Sequence, residues 1–128
     1  MSKFIELKTK KARREFITEK VMTDDRWLIK GLLTIFDHQT ADEQRRDATE
    51  VHNGVGFGAF DVELMSSFSK QVIERGGREL VESKQQILAT SLMSPKQVEI
   101  CRRKMKKYCA QLARIADMKN PIAKKAKA

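Results

Sequence analysis

Apolar residues recur every third or fourth position through most of this chain, and polar turn residues interrupt the pattern at intervals. In TKKARREFITEKV, residues 9–21, Ala12, Phe16, Ile17 and Val21 fall on one helical face. The T-D-D at 23–25 is a helix-start signal, and Trp27, Leu28, Leu32, Leu33, Ile35 and Phe36 follow it. A second helix is expected from Asp25 to His38, at the centre of the core. Thr40 opens T-A-D-E, a capping box with Glu43 three residues on, which predicts a short polar helix over 41–48. Asp61 is a cap for a helix carrying Leu64, Met65, Phe68, Val72 and Ile73, which stops at Gly76-Gly77. Residues 78–92, with Leu80, Val81, Ile87 and Leu88, read as a fifth helix. Ser94 is a cap with Pro95 at the first helical position. The last helix should run to Met118 with Val98, Cys101, Met105, Tyr108, Cys109, Leu112 and Ile115 inside, and Asn120-Pro121 ends it.

The pattern predicts an all-α fold: one compact domain of five or six helices, with a glycine-rich loop between the third and fourth. The domain is expected over 1–119, with 1–8 mobile and 120–128 a disordered basic tail. A chain of 128 residues is the size of one domain, and a composition 41% hydrophobic, 34% charged and 6% aromatic suits a helical protein. No apolar run approaches the roughly 18 residues of a spanning helix. The start, MSKFIELKTKK, has no apolar core behind its charges and does not read as a secretory signal. With two cysteines, the expected compartment is a reducing cytoplasm.

Cys101 and Cys109 fall in one predicted helix, about 12 Å apart at its rise per residue, too far for a disulfide. Neither belongs to a CxxC pair, and His38 and His52 are remote in sequence. Both thiols are expected to face the core, and no metal or cofactor is called for.

Charge changes the picture more. The net charge of +9 divides into +5 over residues 1–14, −5 over 15–77 and +9 over 78–128. Basic ends around an acidic middle read as a footprint for a polyanion. The segment CRRKMKKYCAQLAR, 101–114, places Arg102, Arg103, Lys106 and Lys107 on positions left free by the apolar stripe of Met105, Cys109 and Leu112. No acidic residue lies between Glu99 and Asp117, so the i,i+4 pairs that balance a solvated helix are missing. Lys10, Lys11, Arg13 and Arg14 add an N-terminal cluster. A membrane-surface role would need bulky apolar residues exposed on the same helix, and a domain this small needs them for its core.

The loop HNGVGFGAFD, 52–61, has G-x-G-x-G spacing, without the strand that precedes a dinucleotide-binding turn. Asp61 and Glu63 at the next helix start would repel a phosphate, and the Lys-Ser/Thr of a phosphate loop is missing. Two readings stay open. The glycines permit a tight path while Phe57 or Phe60 plugs into the core. Alternatively His52, Asn53 and Phe57 stack on and hydrogen-bond to an unpaired base. Glu63 with His52, or Cys101 as a nucleophile, lacks any supporting motif, as do Ser66 and Ser67, so no enzyme is expected.

N-G-V-G-F-x-x-F-D (Asn53 to Asp61), S-P-K-Q (Ser94 to Gln97) and K-x-x-K-Y-x-x-Q-L (Lys104 to Leu112), with DHQTADEQ at 37–44, form a pattern. It resembles small uncharacterised proteins of bacteriophages and plasmids over roughly residues 25–115. The resemblance implies an accessory protein of a mobile element acting in the cytoplasm of a bacterial host. The start of the last helix also resembles short helical modules appended to phage and bacterial DNA-processing proteins. The chain departs from the shorter pattern by carrying residues 78–92.

The function expected is non-enzymatic nucleic-acid binding through phosphates, with single-stranded DNA or RNA favoured over duplex. The residues expected to carry it are Arg102, Arg103, Lys106 and Lys107, assisted by Lys10, Lys11, Arg13 and Arg14, with His52, Asn53 and Phe57 at the loop. The alternative is a protein-binding inhibitor docked on a host defence or replication complex. A third reading is a homodimer whose last helices pack together.

Overall fold

The computed structural model describes residues 6–46, 56–83 and 85–119, and among these the fold is all-α without a strand. In chain order the helices are α1 (Lys10–Thr23), α2 (Asp25–Arg46), α3 (Val62–Glu74), α4 (Gly77–Glu82), α5 (Pro95–Met105) and α6 (Cys109–Lys119). A 3-10 turn, Lys106–Tyr108, joins α5 to α6 in one uninterrupted helical rod, and a second, Ala89–Ser91, precedes α5.

Helix α2 is the centre of the packing, touching all the other described helices. Its Leu28, Ile29, Leu32 and Ile35 are wholly buried, as the apolar spacing predicts. Helix α1 runs antiparallel to the α5–α6 rod. Arg13 Nη1 near the start of α1 donates to Asp117 Oδ1 at the far end of the rod (2.8 Å), while Arg102 near its beginning reaches the Val21 and Met22 carbonyls at the end of α1. Met65, Phe68 and Val72 of α3 close the core, with Cys101, Met105, Tyr108 and Leu112 of the rod.

Three boundaries differ from expectation. The second helix does not stop at His38 but continues to Arg46, because no glycine or proline interrupts 37–46, so no separate helix begins at 41. Among the described residues no helix lies between α2 and Val62, so the described part of the glycine loop, 56–61, leads into the third helix rather than the fourth. The helix expected over 78–92 ends at Glu82. At its end and beyond it, the Arg26 guanidinium donates to the carbonyls of Leu80, Val81 and Gln85, and Asp25 Oδ2 accepts from Ala89 N–H at 2.7 Å. Side chains at the start of α2 thus satisfy backbone groups that a helix would have satisfied internally.

The corner before α4 and the start of α5 form as predicted. Gly76 adopts φ +85°, and a Cβ on Gly77 would meet the Val72 carbonyl oxygen at 2.8 Å, so both glycines are required by the turn. Ser94 Oγ accepts from Gln97 N–H (3.1 Å) while Gln97 Oε1 accepts from Ser94 N–H (2.9 Å), a complete capping box. Gln97 also exchanges hydrogen bonds with Gln71, tying this helix start to α3.

Candidate nucleic-acid interface

The α5–α6 rod presents two different basic faces. Lys104, Lys107, Tyr108 and Gln111, spaced i, i+3, i+4 and i+7, turn toward the glycine loop. Gln111 Oε1 accepts from Gly56 N–H at 2.9 Å and its Nε2 donates to the Gly56 carbonyl at 3.1 Å. The Tyr108 hydroxyl accepts from Gly58 N–H and donates to Asp61 Oδ2, both at 2.7 Å. Phe57 N–H donates to Gln39 Oε1 at 2.8 Å. The loop and the second half of the rod are one hydrogen-bonded unit.

Asp61 does not cap α3, since its side chain makes no capping hydrogen bond. Only 2% exposed, it turns inward and accepts from Lys107 Nζ (2.7 Å), Tyr108 and Lys104 Nζ (3.0 Å). These donors, Lys107 foremost, hold its carboxyl well below the usual carboxylate range despite burial. In return, burial first and the Asp61 charge with it push the Tyr108 hydroxyl up to about 12.

Phe57 lies in the core, 9% exposed, edge-on to Tyr108 with ring centroids 5.5 Å apart. The expectation of a presented Phe57 is therefore corrected: its ring fills the space behind the loop and has no free face for a base. His52 and Asn53, the other loop candidates, lie outside the described residues. The ring the loop does present is Phe60, wholly exposed.

The expected phosphate contacts divide in the same way. Arg13 is 1% exposed, its Nε donating to the Leu7 carbonyl (3.0 Å) and its Nη1 to Asp117, so it is a buried tether rather than a surface cation. Arg102 pairs with Asp25 and the carbonyls ending α1, which makes it a clamp between α1 and α2. Lys107 pairs with Asp61 yet stays 60% exposed. Arg103 and Lys106 are exposed and form no ion pair among the described residues, as are Lys10, Lys11 and Arg14 on α1. The carboxylates missing from the last helix in sequence are supplied from Asp25 and Asp61 in space.

The antiparallel register puts the start of α1, which carries Lys10, Lys11 and Arg14, at the level of Asp117, about 21 Å along the rod from Arg103 at helical rise. Glu15 and Glu19 are also exposed on α1. Burial pushes the Cys101 thiol up to about 12 and raises that of Cys109 as well, so both remain protonated core groups. No helix is long and apolar enough to cross a membrane among the described residues. Comparison with family models, curated proteins and solved structures finds no match to this chain.

Proposed function

We propose that this chain is a nucleic-acid-binding accessory protein, contacting phosphates without enzymatic activity, in the mobile-element setting its sequence pattern implies. One observation carries the reading: Arg103 and Lys106 stand open to solvent on the rod, without a carboxylate partner among the described residues, in a chain of net charge +9. Phosphates would supply the missing countercharge, with Lys107 beside them and Lys10, Lys11 and Arg14 extending the stripe. Arg13 and Arg102 support the scaffold and do not contact the ligand.

The reading is tested by fluorescence anisotropy of labelled single-stranded DNA, duplex DNA and RNA, titrated from about 50 to 200 mM salt. Binding that weakens steeply with salt supports it, and the absence of binding at low salt rejects it. A second reading is a protein-binding modulator of a host complex, which would use the same basic face against an acidic partner. Its complex would show milder salt dependence.

A further inference from the structure

Phe60 is 100% exposed, although Phe57 three residues earlier is in the core. Its backbone is nevertheless firmly held. The Gly58 carbonyl accepts from both Asp61 and Val62 N–H at 2.9 Å, the Gly58 N–H is fixed by Tyr108, and the Asp61 side chain is drawn inward. A ring raised on a tethered turn loses little freedom when something covers it.

The chemistry around the ring says what would cover it. Phe60 is followed in the chain by Asp61, where two ammonium groups meet one carboxylate, leaving a surplus positive charge where this turn is anchored to the rod. Lys107 supplies the exposed part of that charge, and Arg103, four residues before it, continues onto the open stripe with Lys106. Glu63, three residues after Phe60, is an exposed acid, and Leu64 beside it is 38% exposed. An exposed apolar ring on a turn anchored to a cationic rod fits a ligand with flat faces and a polyanionic backbone.

We propose that Phe60 is a stacking platform for an unpaired nucleobase, with the adjoining phosphates on Lys107, Arg103 and Lys106. This rests on the nucleic-acid reading and sharpens it: the ligand is a single strand, because a duplex keeps its base faces within its own stack. Every base has a π-face, so stacking here is tolerant of sequence.

The test uses the full chain, labelled oligo(dT) and a duplex, with Phe60→Ala, Phe60→Trp and the double variant Arg103→Glu, Lys106→Glu. Phe60→Ala is expected to weaken oligo(dT) binding by about 5- to 150-fold, leaving duplex affinity and melting temperature unchanged. Phe60→Trp is expected to retain binding, and its added fluorescence, relative to wild type with Trp27 alone, to be quenched by oligo(dT). If Phe60→Ala binds oligo(dT) like wild type while the charge reversal loses it, stacking is overturned and phosphate binding stands. If the wild-type chain binds none of the nucleic acids at low salt, both fall, and the ring becomes a contact for a protein.

Discussion

Lys107 Nζ lies 2.7 Å from Oδ2 of Asp61, a carboxylate 2% exposed, although 46 residues separate them in the chain. The pair joins the glycine loop to the helical rod and consumes part of the charge that marks the last helix as basic. Asp61 also receives Lys104 and the Tyr108 hydroxyl, so this one carboxylate organises the loop.

Asp61→Asn is expected to destabilise the fold by about 1–3 kcal/mol near neutral pH, because the buried Tyr108 hydroxyl and two lysines lose an ionised acceptor. The folded carboxyl titrates below its unfolded value of about 3.9, so its contribution is complete above that pH and is lost as pH falls toward the folded value. Urea denaturation across acid pH should show wild type and variant converging below about pH 4.

Tyr108 is the single tyrosine, so alkaline phenolate absorbance reports it alone. Its ionisation is expected at about 12 in the folded protein. Because the unfolded group ionises near 10, this contribution to stability is present below that pH and is lost as pH rises through the folded value. Asp61→Asn should bring the ionisation back down, since the neighbouring carboxylate opposes the phenolate.

The two loop phenylalanines are expected to behave oppositely. Phe57→Ala should cost about 3–5 kcal/mol, as a ring in the core facing Tyr108. Phe60→Ala should stay within about 0.5 kcal/mol of wild type. Thermal and urea unfolding of both variants check the contrast.

Gly77→Ala should destabilise the fold by about 2 kcal/mol or more, since the new methyl would meet Val72 Cγ1 at 2.2 Å and the Val72 carbonyl oxygen at 2.8 Å. The backbone oxygen cannot swing away as a side-chain end would. A midpoint in urea equal to wild type would contradict the packing at the α3–α4 corner.

Helices whose apolar residues recur at helical spacing were legible: Leu28, Leu32 and Ile35 on α2, and Met65, Phe68 and Val72 on α3, point where the pattern places them. What the pattern missed is held by partners distant in sequence. The end of α4 depends on Arg26 meeting carbonyls more than 50 residues away, and Asp25 fixes Ala89 across 64 residues. T-A-D-E at 40–43 carries the letters of a capping box, but a cap acts only where a helix begins, and α2 runs through it. The basic face was legible as charge, not as contacts. Arg102 and Arg103 are neighbours in sequence, yet one clamps α1 to α2 while the other faces solvent, because their carboxylate partners cannot be read from local spacing. The inward turn of Asp61, next to the exposed Phe60, depends on Lys104, Lys107 and Tyr108 of the distant rod.

The most direct test of phosphate binding is the salt slope of oligo(dT) affinity for wild type and for Arg103→Ala with Lys106→Ala. The proposal predicts salt-sensitive binding whose log–log slope loses about 1.4 in magnitude in the double variant, the share of two phosphates on a single strand. An unchanged slope and affinity in that variant would contradict it.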